Sequence, residues 1–201
     1  MDTLLLDPVH RTFRTLFGRR DALKSDLISL YRTYRNQQAF EFFEAGQLTE
    51  YEYFRLFYDQ HTPESVRKIL PRPQKLKKIL LKEVSWMPGA LALLEETHGS
   101  GISTGIASNY SLWYHSILRS CPQIAELCDY LFFSCEIGYR KPDARFYLEI
   151  GEALSREGIA QVFFLDDRPG NVQAARDCGW EAHTFTGMAE ARPLIADFLR
   201  E

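Results

Sequence analysis

Two hydrophobic rhythms divide this chain. Up to about residue 58, apolar side chains recur at helical spacing, first as Leu27, Leu30, Tyr31 and Tyr34 and then as Tyr53, Phe54, Phe57 and Tyr58. Gly46 separates the two stretches, and Thr49-Glu-Tyr-Glu52 carries the reciprocal hydroxyl and carboxylate of a capping box, which predicts a helix start just after that turn. Ahead of them, Thr3 to Leu6 is a short apolar run ending in Asp7 and predicts a first strand. His61 to Pro73, rich in proline and cations, is expected to be a return connection.

From Met87 onward the rhythm alternates. Pro88 suits a first helical turn leading through Leu91 and Leu94, and Ile102 to Ala107 is a strand ending at Ser108. Tyr110 to Arg119 then reads as a helix, Tyr130 to Phe133 as a strand, Ala144 to Leu154 as a helix and Val162 to Leu165 as a strand. A strand near Ala182 to Phe185 and a helix from Ala189 to Leu199 close the series. Repeated strand and helix units predict an α/β fold: a Rossmann-like parallel sheet with helices on both faces. The helical block between the first strand and the rest is then an inserted α-helical cap, with residues 1–18 and 84–201 as the core and 19–83 as the cap.

Composition narrows the class without changing this picture. With 201 residues, 45% of them hydrophobic and 25% charged, the chain is an ordinary globular sequence with room for one good core. Its apolar runs are too short to span a bilayer and its N-terminus lacks the basic flank of a signal peptide, so a cytoplasmic protein with no membrane association is expected. Cys121, Cys128, Cys135 and Cys178 form no C-x-x-C pair, and read as reduced, mostly buried thiols. A net charge of −3 argues against nucleic acid as a partner. Locally, Arg67, Lys68, Arg72, Lys75, Lys77, Lys78 and Lys82 form a run with no acid inside it, and a solvated face is the expected explanation.

The chemistry gathers at strand ends. Val162-Phe-Phe-Leu-Asp-Asp-Arg-Pro-Gly-Asn171 is an apolar run closing on two adjacent carboxylates before a helix, and open α/β sheets place ligands at that end. One aspartate would suffice to cap the helix; two repel each other, and a hard cation such as Mg²⁺ would offset them. Asp7, Ser108-Asn109 and Lys141 in Gly138-Tyr-Arg-Lys-Pro-Asp143 fall at or just after other predicted strands. Each has a plainer reading, as a cap, a strand-to-helix junction or a solvated loop lysine, but four such features in this order point to a shared site.

In that order the motifs resemble the haloacid dehalogenase-like (HAD) hydrolase superfamily. Cap position, Arg-Lys-Pro-Asp, Leu-Asp-Asp and the Gly46-Gln-Leu-Thr-Glu50 turn are most similar to its small helical-cap subfamily, which includes α-D-glucose-1-phosphate phosphatase and the N-terminal phosphatase domain of soluble epoxide hydrolase. The resemblance implies Asp7 as a nucleophile that forms an aspartyl-phosphate. It implies Asp7, Asp167 and the backbone carbonyl of Val9 as Mg²⁺ ligands, with Asp166 supporting the metal from beside Asp167. Ser108 and Asn109 would donate to phosphoryl oxygens, and Lys141 would set a positive charge against Asp7 and the phosphoryl group.

The chain departs from the family at its first motif. The usual Asp-x-Asp-x-Thr is here Asp7-Pro-Val-His-Arg11, so Val9 stands where the general acid/base belongs and Arg11 where threonine or valine is usual. His10 is a candidate substitute because imidazole titrates near neutrality, whereas Arg11 cannot act as a base. The expectation is a Mg²⁺-dependent phosphatase of a small phosphorylated metabolite, monomeric or dimeric and slowed by Val9. The alternative is a catalytically impaired HAD domain that binds a phosphorylated ligand or a protein partner. Dehalogenation is disfavoured, because haloacid dehalogenases carry Ser-Ser-Asn where this chain has Leu165-Asp-Asp167. The aromatic residues of the cap, with Arg32 and Arg35, are candidate substrate contacts, although helix-spaced aromatics usually pack.

Overall fold

The computed structural model describes residues 4–6, 38–58, 62, 64–68, 71–119 and 121–200. Asp7, Val9, His10, Arg11, Tyr31, Arg32, Tyr34 and Arg35 lie outside the described residues. Element labels refer to the described residues. The first strand, β1 (Leu5–Leu6), pairs antiparallel with β2 (Ser85–Trp86). Between them come α1 (Gln38–Glu44), α2 (Glu50–Leu56), α3 (Glu64–Arg67) and α4 (Pro73–Lys82).

The expected α/β alternation follows. Helix α5 (Ala90–Gly99) leads to β3 (Gly105–Ser108), then α6 (Leu112–Arg119), α7 (Pro122–Leu127), β4 (Tyr130–Phe133) and α8 (Ser134–Ile137). Helix α9 (Ala144–Arg156), β5 (Phe163–Asp166), α10 (Pro169–Asp177), β6 (Glu181–Thr184) and α11 (Met188–Phe198) complete it. β3 runs parallel to β4, with Ser108 opposite Phe133, and β5 runs parallel to β6, with Asp166 opposite Thr184. No helix among the described residues is long and apolar enough to cross a membrane.

Local chemistry explains the boundaries. At α2 the capping box forms as the sequence predicts: Glu52 N–H donates to Thr49 Oγ1 at 3.2 Å and Thr49 N–H to Glu52 Oε2 at 2.9 Å. The expected return connection is partly helical instead. Pro73 opens α4 rather than ending a segment, because its missing N–H falls where a helix needs no donor, and Leu76 and Leu80 then bury one face. Lys75, Lys78 and Lys82 are exposed on that helix, while Lys77 pairs with Glu50 at 2.6 Å. Pro88 precedes α5 in a turn, and the helix starts after Gly89. β3 begins three residues later than its apolar run, since Asp129 Oδ2 accepts the Thr104 N–H at 2.9 Å just before pairing starts.

The core has two main parts. In one, Phe43 and Tyr53 stack with ring centroids 4.5 Å apart and Phe54 stacks on Trp113 at 4.6 Å, fusing α1 and α2 to α6. Most of the described aromatics in the cap segment are therefore packing residues, whereas Tyr51 is 73% exposed. The other part joins Phe146, Tyr147, Ile150 and Leu154 of α9 to Phe164, Val172 and Trp180, placing the helix after Lys141 directly against β5 and α10. Cys128 is buried, but Cys121, Cys135 and Cys178 are only half-buried; all four are free thiols. Burial pushes the Cys128 thiol up to about 12.

Gly46, in the turn after α1, has φ +70°, and a Cβ there would lie 2.3 Å from the Cys135 backbone carbonyl oxygen. Gly46→Ala is therefore expected to cost at least about 2 kcal/mol, combining left-handed backbone strain with a backbone clash. Urea unfolding monitored by fluorescence checks this.

Candidate active site

β3 and β5 deliver their last residues to one place. Ser108 is the final residue of β3 and is buried; Asp166 is the final residue of β5 and only 3% exposed. The strand extends one residue beyond its apolar run because Asp166 still pairs in register with Thr184, and its carbonyl accepts the Phe185 N–H at 2.9 Å. Lys141 enters from the loop between α8 and α9 and is 6% exposed. Its Nζ donates to Asp166 Oδ2 at 2.6 Å and to the Ala107 carbonyl at 2.8 Å, and it lies 5.2 Å from the centroid of the Phe164 ring.

The other Asp166 oxygen is also engaged. Oδ1 accepts the Arg168 backbone N–H at 2.9 Å, an Asx-type turn, and Asn171 Nδ2 at 2.8 Å. Burial alone would raise this carboxyl. The Lys141 charge and hydrogen bond, with those from Arg168 and Asn171, reverse that effect, so Asp166 titrates below the usual carboxylate range. Asp167 follows at the strand tip, half-buried. Asp166 is therefore the member of the acidic pair that is matched to the lysine.

Asn109 has a positioning task in this structure. Its Oδ1 accepts the Lys141 N–H at 2.8 Å and its Nδ2 donates to the Lys141 carbonyl at 2.9 Å. The side chain thus mimics a paired backbone and clamps the loop that carries the lysine. On the other side, Asp143 caps α9 by accepting the Arg145 N–H at 3.0 Å, so Lys141 sits between a clamp and a helix start. The structure therefore brings together Ser108, Asn109, Lys141 and Asp166, with Asp167 next in the chain.

Some partners are invisible to motif reading. The Ala107 carbonyl and Arg168 N–H are backbone groups, and Tyr147 looks like an ordinary member of an apolar helix stripe although its hydroxyl donates to the Asn171 carbonyl at 2.8 Å. Asn171, five residues after Asp166 on the first turn of a predicted helix, was the detectable signal. A cavity of about 520 Å³ is lined by residues of β3, β4 and β5, with Leu4, Ile106 and Phe164 among its apolar lining and Ser108, Lys141 and Asp166 among its polar lining. Among the described residues, no group of three His, Cys, Asp or Glu side chains can hold a metal ion by itself.

Removing one member of the buried pair strands the other. Asp166→Asn is expected to destabilise the fold by about 3–5 kcal/mol at neutral pH. Because the folded carboxyl titrates below its unfolded value, its contribution is full above about pH 4 and is lost as pH falls through the folded value. The stability gap between wild type and Asp166→Asn should therefore shrink in acid, as measured by urea unfolding at a series of pH values.

Comparison with known proteins agrees with this architecture. The chain is 28% identical over 197 residues to flavin mononucleotide hydrolase 1 of Arabidopsis thaliana, a protein named as chloroplastic, covering 98% of this chain and 74% of that one. A HAD-like family hydrolase from Porphyromonas gingivalis superposes with a TM-score of 0.65 at 20% identity, over 98% of this chain and 92% of the other. A HAD family enzyme from Bacteroides thetaiotaomicron, solved in complex with magnesium and inorganic phosphate, superposes with a TM-score of 0.61 at 14% identity, over 89% and 84%. The family model described as haloacid dehalogenase-like hydrolase matches residues 4–179, and with the parallel strand pairs and the Lys141–Asp166 site this places the chain in the haloacid dehalogenase-like hydrolase family.

Proposed function

We propose that this chain is a Mg²⁺-dependent phosphatase of a small phosphorylated metabolite, working through an aspartyl-phosphate on Asp7. The observation that carries the reading is the Lys141 ammonium, paired with Asp166 and lining the same cavity as Ser108. An ammonium has three N–H donors, and Asp166 and Ala107 take two among the described residues, leaving one for an anionic oxygen. Leu4 lines the same cavity, and the chain after β1 continues directly into Asp7. Further support comes from the relative named for flavin mononucleotide hydrolysis and the neighbour solved with magnesium and phosphate.

In this reading Asp7 attacks phosphorus, the leaving alcohol departs, and water later hydrolyses the acyl phosphate. Lys141 and the Ser108 hydroxyl stabilise charge on the nonbridging oxygens, and Asn109 fixes Lys141 through the loop backbone. Carboxylates of Asp7 and Asp167 and the Val9 carbonyl would supply hard oxygen ligands of the kind Mg²⁺ prefers, with Asp166 acting from beside them by holding Lys141. Bound Mg²⁺ would add positive charge against the phosphoryl oxygens. Val9 carries no proton, so leaving-group protonation falls to water or His10, and turnover is slow. The cap segment 19–83 would enclose the substrate.

Val9 also favours a second reading, a phosphate-binding domain without turnover. A screen of sugar phosphates, nucleotides, flavin mononucleotide and aryl phosphate, with Mg²⁺ or with chelator, separates the two. The expected outcome is slow Mg²⁺-dependent release of phosphate, reduced at least about 10³-fold in Asp7→Asn. Unchanged activity in Asp7→Asn would remove it as nucleophile. Val9→Asp is expected to raise kcat by roughly 10²–10⁴-fold, the usual worth of a positioned general acid. A His10→Ala variant with undiminished rate would exclude the imidazole as its substitute. Wild type that is inactive on every ester yet binds Mg²⁺ with beryllofluoride would favour the binding domain.

A further inference from the structure

The residue before Lys141 is also anchored, but to a different part of the chain. Arg140 Nη2 and Nε donate to Glu44 Oε2 at 2.8 and 3.2 Å, and Nη1 donates to Glu41 Oε1 at 3.0 Å. Glu44 is the last residue of α1, and its side chain is only 11% exposed, so this pair is partly desolvated and stronger than an open surface contact. Glu44 also holds the core through its backbone. Its carbonyl accepts Ser134 Oγ at 2.6 Å, and that same hydroxyl oxygen accepts the Tyr110 N–H at 3.0 Å. One residue at the end of α1 therefore touches three segments: the start of α8 just after β4, through it the chain that follows Asn109, and the loop of Lys141.

We infer that Arg140 is a positioning residue, through which Glu41 and Glu44 of α1 set the placement of the Lys141 ammonium against Asp166. The geometry suits a guanidinium. Its planar fork presents donors in fixed directions to two carboxylates, whereas a lysine ammonium is a point charge on a flexible stem and holds neither in a fixed orientation. Asn109 fixes the Lys141 backbone from the β3 side and Arg140 fixes the adjacent residue from the α1 side, so the loop is held between two anchors. Removing one leaves Lys141 attached by the other and by its own pair with Asp166. A shift in α1 is transmitted to the ammonium through this fork. Where α1 belongs to a cap that closes over substrate, the fork couples closure to the placement of charge; the inference in that form rests on the phosphatase reading, but the placement of Lys141 does not.

The test reads the two separately. Lys141 is buried, so brief acetic anhydride labelling followed by mass spectrometry gives its reactivity relative to exposed Lys78 in the same molecule. Arg140→Gln and Glu44→Gln are each expected to raise Lys141 labelling roughly tenfold with little further gain in the double variant, and Arg140→Lys to fall between them and wild type. With aryl phosphate and Mg²⁺, the same variants should lower kcat about tenfold while KM changes little, since substrate still binds but the charge is misplaced. Should Arg140→Gln fail to fold, Glu41→Gln removes half the fork from its more exposed side and is read in the same way. Unchanged Lys141 labelling in the folded variants overturns the inference, as does an unchanged kcat in an active enzyme. Absence of phosphatase activity in wild type would count against the phosphatase reading alone, because labelling still decides the placement of Lys141.

Discussion

A lysine ammonium and an aspartate carboxylate 2.6 Å apart, both nearly removed from solvent, impose demands on everything near them. Each charge loses hydration on burial, and their attraction compensates only if the remaining donors and acceptors are also matched. Here the matching is extensive. The carboxylate takes the ammonium, the Arg168 N–H and the Asn171 amide, while the ammonium also takes the last β3 carbonyl but one. The pair thereby fixes the relative placement of β3, β5, the loop between α8 and α9, and the first turn of α10. Such a pair adds less to net stability than to uniqueness, because any rearrangement that separates the charges exposes one of them to an apolar interior.

This matching also divides labour between two adjacent acids. Alone, Asp166 and Asp167 would repel each other at a strand tip. Alternation along the strand sends Asp166 inward to the lysine and leaves its successor in a different, half-buried setting. Two chemically identical side chains are thus given separate characters by a single step in the backbone. One serves the interior, and the other is proposed to serve the metal.

Much of this was legible in the sequence where a signal is local. The capping box at Thr49 and Glu52 states its own geometry, and the apolar run from Val162 located β5 to within one residue. Shorter elements had no such voice: α8 spans four residues, too few for a period, and Ser134 at its start resembles any loop serine. Pro73 was ambiguous because proline both ends segments and begins helices, and only the burial of Leu76 and Leu80 behind it decides. Asn109 was placed at the correct strand end, but its bonding to Lys141, 32 positions away, depends on how the β3 and α9 regions pack. The Arg140 fork spans 96 residues to Glu44 and has no sequence signature beyond the charges themselves.

The Tyr147 hydroxyl closes a ring. From Lys141 the chain runs through the Asp143 cap into α9 and reaches Tyr147; its hydroxyl binds the Asn171 carbonyl, the Asn171 amide binds Asp166, and Asp166 returns to Lys141. A linkage joined end to end in this way behaves like a braced frame, in which no joint can rotate unless all the others yield. The inner face of α9 is therefore tied to the site by geometry as well as by packing, and substitutions there would alter charge placement some distance away. Its outer face, carrying Leu148, Glu149 and Glu152 in solvent, is released from that constraint and can vary without disturbing the frame.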